Sequence, residues 1–166
     1  MDERYYIGVD NGVTGSIGII DGSLFGVDFF KIPVKKEQNY TKKKGFITRV
    51  DVPNLIESLR PFSHCPSHVI IERPYVNPQG FKATVSAIRC LEAVLISVEM
   101  LGMSFEYVDS RSWQREALPA GCSGSELKLA SLSMGIRLFP QFESGIRKHG
   151  DADSLLMAVY RSKGFK

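Results

Sequence analysis

The chain has 166 residues, enough for one domain that buries a core without disulfides. Hydrophobic residues make up 43% and charged residues 23%, which are ordinary values for a globular protein. No apolar run reaches the roughly 18 residues needed to cross a bilayer, so a membrane-spanning helix is excluded.

The start of the chain, MDERYY, contains two acids and no apolar segment, so we expect no secretory signal. The three cysteines are widely spaced and odd in number, which indicates reduced thiols rather than a disulfide framework or a zinc site. These features predict a cytoplasmic protein. A bacterial or phage-infected cell is favoured over an organelle, because no transit peptide is visible.

The first third of the chain has the pattern of β-strands. Tyr5–Asp10 is a short apolar run that ends at an acid. Two more runs, Ser16–Ile20 and Leu24–Ile32, are separated by the turn dipeptide Asp21-Gly22. The three runs predict an antiparallel meander.

A basic segment follows the meander. Lys31 to Arg49 contains seven basic residues and one acid, a net charge of +6, so the rest of the chain carries −3. We interpret the segment as a loop, either a solvated one or one that binds phosphate through Lys42, Lys43 and Lys44.

Strands and helices alternate in the remainder. The patterns predict a short helix at about 52–59, a strand at 68–72, a long helix at about 82–101, a strand at 105–108, a helix beginning near 123–126 and a last helix at about 152–160. The order predicts an α/β fold, with a mixed five-stranded sheet of strand order 3-2-1-4-5 and helices on both faces. We expect a single domain over 1–166.

Two acids end apolar strands that this topology makes parallel neighbours. Asp10 closes the first strand and Glu72 closes the fourth. Ligands of open α/β sheets bind at the carboxyl edge. Adjacent carboxylates repel each other, and a hard cation such as Mg²⁺ removes that repulsion. The pattern therefore predicts a metal site at this edge.

A third acid comes from the sequence KHGDAD before the last helix. Asp153 shares a helix face with Leu156 and Met157, which should pack on the sheet. Asp151 has the alternative role of an N-cap. His149 can reach the same site from the preceding loop, although a histidine beside a lysine is also typical of a surface.

Four segments follow one another along the chain, namely IGVDNGVTGSIGII, VIIERPYVNP, SRSWQREALP and HGDADSLLMAVY. In their order and spacing they resemble the RuvC-type Holliday-junction resolvases of the RNase H-like superfamily, in particular the phage-type and organellar branches. Each motif alone is weak, since Asp-x-Gly after a strand also occurs in actin-like ATPases.

The resemblance implies a homodimeric crossover junction endodeoxyribonuclease that acts in DNA recombination and repair. It implies symmetric cleavage of four-way junctions that leaves 5′-phosphate and 3′-hydroxyl ends, with two Mg²⁺ ions in each active site and Mn²⁺ as a substitute. By motif, the catalytic and metal-binding residues are Asp10, Glu72, His149 and Asp153. His149 stands four residues before Asp153 rather than the three of the bacterial pattern, so Asp151 remains an alternative ligand. The sequence does not decide whether His149 binds metal or accepts a proton.

The resemblance also implies DNA contacts. Tyr75 matches an aromatic residue that lies against junction bases, although a loop aromatic packed on the core is the alternative. Basic residues implied to contact phosphates are Lys82, Arg89, Arg115 and Lys128. Trp113 is interpreted as a core or loop anchor. The long helix has a broad apolar face that suits a dimer interface, with purely internal burial as the alternative.

Three other functions share parts of this pattern. A nuclease of flaps or forks has the same residue requirements. An actin- or sugar-kinase-like nucleotide-binding protein shares the pattern around Asp10-Asn11-Gly12-Val13-Thr14, but it needs two such domains, and 166 residues cannot hold both. A junction-binding protein without catalysis would be favoured only if one of the three acids were missing.

Overall fold

A mixed β-sheet forms the centre of the molecule, in a computed structural model that describes residues 4–164. Residues 1–3, part of the segment that predicted the lack of a secretory signal, and residues 165–166 lie outside the described part. The strands are β1 (Tyr5–Val9), β2 (Ser16–Asp21), β3 (Gly26–Lys31), β4 (Val34–Gln38), β5 (Phe46–Val50), β6 (Ser67–Glu72) and β7 (Ser104–Val108). The α-helices are α1 (Val52–Ser63), α2 (Phe81–Met100), α3 (Ser110–Ala117), α4 (Ser125–Leu138), α5 (Glu143–His149) and α6 (Asp153–Ser162).

The five-stranded sheet has the order β3-β2-β1-β6-β7. β1 pairs antiparallel with β2, and β2 with β3, which is the predicted meander. β6 lies parallel to β1 on its other side, and β7 lies parallel to β6. This is the predicted order 3-2-1-4-5, once the two additional strands β4 and β5 are numbered, so the predicted sheet is confirmed.

Helices cover both faces of the sheet, and each face has its own core. On one face α1 and α2 pack on the sheet, with Leu55 and Val94 fully buried against Ile71. On the other face α6 is buried along its length, and Leu156 packs beside Ile70. Successive residues of a strand point to opposite faces, so β6 is buried on both sides and reads as a continuous apolar run.

The start of α6 lies directly on two glycines that pair across β1 and β2. A Cβ atom on Gly8 would lie 1.9 Å from the carbonyl oxygen of Ser154, and one on Gly18 would lie 2.5 Å from the backbone nitrogen of Leu155. Only glycine allows a helix to approach this closely. The contact fixes the first turn of α6 beside the end of β1.

The basic segment is a β-hairpin, so its interpretation as a loop was wrong. β4 and β5 pair antiparallel in a separate two-stranded sheet. Lys35 and Arg49 form ion pairs with Glu37 at 2.9 and 2.8 Å. Only Val50 of the ten strand residues is buried, which explains why the sequence shows no apolar face.

The helices differ from the predictions in three further ways. α3 and α5 were not predicted, and α1 extends to Ser63. The buried residues of α2 are Cys90, Val94, Ser97 and Val98, whereas the apolar residue Ile88 is 43% exposed. Purely internal burial of this helix is therefore wrong. Within residues 4–164 no helix is both long and apolar enough to cross a membrane.

Candidate active site at the carboxyl edge of the sheet

Two acidic residues lie at adjacent positions where β1 and β6 end. Asp10 directly follows β1, and Glu72 is the last residue of β6. The parallel register pairs Val9 with Ile71, so the next position on each strand carries an acid. The structure thus brings together the two strand-end carboxylates that the sequence singled out.

The carboxylate of Glu72 is held by Trp113 of α3. The indole Nε1–H donates a hydrogen bond to Glu72 Oε1 at 2.9 Å, and the Trp113 side chain is fully buried. The ring belongs to the same cluster as Ile70 and Leu156, so its position is fixed by packing. Trp113 is the predicted anchor, and it also orients an acid of the site, which the sequence did not indicate.

Asp153 opens α6 and is held by a serine of α4. The Ser131 hydroxyl donates a short hydrogen bond to Asp153 Oδ1 and accepts one from the Ala152 backbone N–H at 3.1 Å. Ser131 is fully buried. Sequence reasoning missed it, because a serine 22 positions away in a helix carries no local signal. Together with the glycine contact of α6, it directs Asp153 to the same sheet edge.

His149 is the last residue of α5 rather than part of a loop, and it faces Asp151. Its Nε2 lies 3.4 Å from Asp151 Oδ1, and the two side chains are only 5% and 10% exposed. The ring contacts Phe29 edge-on, with centroids 5.8 Å apart. His149, Asp151 and Asp10 each offer a ligand atom, and these three atoms lie within 4.8 Å of one another.

The electrostatics of Asp10 reflect this crowding. Burial, followed by the negative charges of Glu72, Asp153 and Asp151, raises the pKa of Asp10 from 3.8 to about 7. His149 acts in the opposite direction but does not cancel the shift. The ionised form of such a carboxyl is disfavoured at neutral pH, unless a nearby cation stabilises it.

Two further carboxyls of the site have raised pKa values. Burial and the charge of Asp151 raise the pKa of Asp153 to about 6, although the hydrogen bond from Ser131 favours the ionised form. Burial likewise raises the pKa of Glu72, against the hydrogen bond from Trp113. The site therefore concentrates negative charge where water is largely excluded.

Asp151 is the exception among these acids. Burial acts to raise its pKa, but the hydrogen bond and charge of His149, the backbone N–H of Asp153 and the charge of Lys128 together lower it below the usual value. The Lys128 charge also favours ionised Asp153. Lys128, predicted to contact DNA, is thus close enough to act on the acids of the site.

The donor set fits a divalent cation. Carboxylate oxygens are the preferred protein ligands of Mg²⁺ and Mn²⁺, and imidazole is a common ligand of transition metals. Asp10, His149 and Asp151 are near enough to share one ion after small side-chain movements. A bound cation would also offset the burial and the repulsion that together raise the pKa of Asp10.

Three residues predicted to contact DNA lie in the segments that flank this edge. Tyr75 follows β6 and is 83% exposed, so the alternative that it packs on the core is wrong. Arg115 of α3 has a side chain 78% exposed and an ion pair with the adjacent Glu116 at 3.1 Å. Lys128 is exposed on α4. All three side chains are accessible.

A second set of predicted residues lines a groove between the β4–β5 hairpin and the start of α2. Lys42, Lys43, Lys82 and Arg89 all line it, together with Tyr40. The Arg89 guanidinium lies over the Tyr40 ring, 5.0 Å from its centroid. Lys44 is exposed in the same hairpin loop. The structure therefore brings together basic residues that are about 40 positions apart in the chain.

Solved structures of RuvC share this architecture. The described chain aligns with Thermus thermophilus RuvC in complex with a Holliday junction substrate at a TM-score of 0.63 and 16% identity, covering 95% of this chain and 91% of that one. A second Thermus thermophilus RuvC structure aligns at a TM-score of 0.56 and 18% identity, covering 97% of both chains. No protein-family model and no curated protein matches the sequence.

These alignments establish the fold class. The chain shares the α/β fold of the RuvC structures, in which a five-stranded mixed sheet carries helices on both faces. Within that class its structural neighbours are RuvC structures, in agreement with the likeness seen in the sequence.

Proposed function

We propose that this protein is a metal-dependent endonuclease that resolves four-way DNA junctions. The observation that carries the proposal is the convergence of Asp10, Glu72, His149 and Asp153 on one sheet edge of a RuvC-like fold. A neighbour of this fold was solved with a Holliday junction as substrate. We expect cleavage to leave 5′-phosphate and 3′-hydroxyl ends. We expect the protein to act in the cytoplasm.

We propose that these four residues hold two Mg²⁺ ions, with Mn²⁺ as a substitute. When bound, the ions supply a nucleophilic hydroxide at neutral pH and neutralise charge on the phosphate that is cut. The Trp113 and Ser131 hydrogen bonds keep Glu72 and Asp153 in fixed orientations. Fixed ligands of this kind position a phosphodiester without reorganisation during the reaction.

The side chains around the acids are suited to a nucleic-acid backbone. Lys128 has a positive charge near Asp151 and Asp153, and Arg115 is exposed on the neighbouring helix. Both can bind phosphates next to the scissile one. The exposed ring of Tyr75 offers a surface on which an unpaired base of a junction can stack, a contact worth about 1–3 kcal/mol.

Two copies of the chain would cut the two strands of a junction symmetrically. α2 supports a homodimer, because it exposes apolar side chains that a monomer leaves in water. Phe81 is 73% exposed, Met100 is 70% exposed, and Ile88 and Ile96 are 43% and 41% exposed. Apolar surface concentrated on one helix is typical of an interface.

The central test uses Asp10→Asn, which keeps the shape of the side chain and removes its charge. We expect Mg²⁺-dependent cleavage of a synthetic four-way junction to fall by at least about 1000-fold, since metal catalysis supplies several kcal/mol and each 1.4 kcal/mol is tenfold. Junction binding, measured by gel shift in EDTA, should persist. The control is Asp109→Asn, at a side chain 66% exposed that pairs with Arg73.

A variant that cuts at the wild-type rate would overturn the metal assignment. The substrate is tested separately, by comparing wild-type cleavage of four-way junctions, flaps, replication forks and linear duplex. Faster cleavage of flaps or forks than of four-way junctions would replace the resolvase function with that of a different branched-DNA nuclease.

A further inference from the structure

We infer that Asp151 is itself a metal ligand, and that it shares one divalent cation with Asp10 and His149. This inference rests on the proposed function and extends it by a fifth donor. The site then contains two groups of donors. Asp10, His149 and Asp151 lie within 4.8 Å of one another, and Glu72 and Asp153 lie outside that set.

Helix capping does not account for Asp151. The residue that caps α6 is Ala152, and the Asp151 Oδ1 atom lies 3.5 Å from the Asp153 backbone nitrogen. A capping carboxylate normally accepts at about 2.7–3.2 Å. The side chain is nevertheless almost fully buried, at 10% exposure. Apart from its interaction with His149, the only hydrogen bond of this buried carboxylate to the described residues is the long one to backbone, which leaves room for a cation as a further partner.

The turn before Asp151 directs it toward His149. Gly150 has a φ of 106°, a left-handed conformation that ends α5 and that residues with a Cβ rarely adopt. The side chains on either side of this glycine meet, with 3.4 Å between His149 Nε2 and Asp151 Oδ1. This separation is longer than that of a strong charge-assisted hydrogen bond, which is about 2.7–2.9 Å.

The imidazole of His149 is a second, independent sign of a ligand. The side chain is only 5% exposed, and within residues 4–164 its Nδ1 has no hydrogen-bond partner. Buried imidazoles normally use both nitrogens. Two atoms that bind one Mg²⁺ at about 2.1 Å can be at most about 4.2 Å apart, so the 4.8 Å set needs little movement to close on an ion.

The hydrogen bonds of the other acids agree with the division of the donors into two groups. Asp153 uses one oxygen to accept from Ser131, and Glu72 uses one to accept from Trp113. For Asp10, by contrast, no hydrogen bond from the described residues contributes to its electrostatics, only burial and neighbouring charges. Asp10 thus has both oxygens available to join Asp151 and His149 around one cation.

The test measures metal binding rather than cleavage. Mn²⁺ is titrated into the metal-free full-length protein and followed by calorimetry and by electron paramagnetic resonance. We expect Asp151→Asn and Asp151→Ser each to weaken Mn²⁺ binding at least about tenfold, the lower end of what loss of even an indirect metal contact costs. Asp109→Asn, at the same sheet edge but outside the cluster, should bind as wild type does. Thermal unfolding in EDTA checks that each variant folds.

Folded Asp151 variants that bind Mn²⁺ with wild-type affinity would overturn the inference while leaving the proposed function standing. If the wild-type protein binds Mn²⁺ and the variants do not, but no branched DNA is cut, the ligand assignment holds and the proposed function fails. A wild-type protein that binds neither Mn²⁺ nor Mg²⁺ would overturn both.

Discussion

The raised pKa of Asp10 makes the stability of the metal-free protein depend on pH. The unfolded chain loses this proton near pH 3.8 and the folded chain near pH 7. Between these values the folded state binds more protons than the unfolded state. The contribution of Asp10 to the free energy of unfolding is therefore fully present below about pH 3.8 and is lost as the pH rises through 7. Asp153, with a pKa of about 6, acts in the same direction, and Asp151, with a lowered pKa, acts oppositely.

Asp10→Asn should therefore stabilise the metal-free protein above neutral pH. Because one pKa unit corresponds to about 1.4 kcal/mol, we expect a gain of about 2–4 kcal/mol at pH 8 and little difference near pH 4. Urea unfolding in EDTA over a pH series measures both values. If wild type and Asp10→Asn differ in stability by the same amount at pH 4 and pH 8, the pKa of Asp10 is not raised in the folded protein.

Magnesium should stabilise the wild-type protein relative to Asp10→Asn, the opposite of the order expected without metal. A cation that binds only the folded state raises the melting temperature in proportion to the logarithm of its concentration. We expect Mg²⁺ to raise the melting temperature of the wild-type protein and to leave that of Asp10→Asn nearly unchanged. Equal shifts in both proteins would place the cation elsewhere.

Individual residues of the site were predictable to different degrees. Asp10 and Glu72 followed from strand patterns, because an acid that ends a buried strand is visible in a short window. The roles of Trp113 and Ser131 were not predictable, because each depends on a contact with a residue far away in sequence, 41 positions for Trp113 and Glu72. Such contacts depend on how helices pack on the sheet, which no local pattern encodes.

At the scale of elements, the β4–β5 hairpin carries the strongest test of DNA binding. Lys42, Lys43 and Lys44 lie in its exposed loop. If each binds one phosphate, changing all three to Gln should reduce the salt dependence of log K for junction binding by up to about 2.7 units. Gel-shift titrations between 50 and 200 mM salt (about the range over which such contacts weaken strongly) provide the slope.

The matched control for the hairpin is Arg60→Gln. Arg60 is exposed, pairs with Glu57 and lies near the end of α1, which precedes β6 and so stands at the sheet edge opposite the acids. This variant should retain the wild-type slope. If the triple lysine variant has the same salt dependence of log K as the wild-type protein, the hairpin loop is a solvated surface and does not bind phosphate.

The elements themselves were predicted where they bury an apolar face. All five strands of the main sheet do so, and the long helix α2 does so in part. The hairpin was missed because the half-buried positions of β4 are occupied by the charged residues Lys35 and Glu37. Its pairing is supported by the ion pairs of Glu37 with Lys35 and Arg49 rather than by a core. The short helices α3 and α5 were missed because neither is long enough to show a helical period.

At the scale of the whole molecule, one sheet edge collects residues from both ends of the chain. Asp10 comes from the first strand and Asp153 from the last helix, and the glycine pair under α6 allows them to meet. The order of strands could be predicted, since a meander followed by parallel crossover units leaves few alternatives. The sequence favoured an α2 shared with a second copy, but which side of the helix stays exposed could not be predicted, because its apolar residues are distributed around more than one side.

The exposed face of α2 provides a test of the proposed homodimer. If α2 forms the interface of a symmetric dimer, a charge at its centre meets its own copy across the axis and is left without a partner. We expect the wild-type protein to have twice the 18.5 kDa mass of one chain by size-exclusion chromatography with light scattering. Ile88→Glu should convert it to a monomer that folds but no longer cuts both strands of a four-way junction.

Leu138→Glu provides the control for this experiment, because Leu138 is 45% exposed, close to the 43% of Ile88, but lies on α4. A general effect of replacing a half-exposed apolar side chain by an acid would act on both variants equally. Dissociation by Ile88→Glu alone assigns the interface to α2. A wild-type protein that elutes as a monomer at the concentrations used for cleavage, and still cuts both strands, would show that symmetric cutting does not require the α2 dimer.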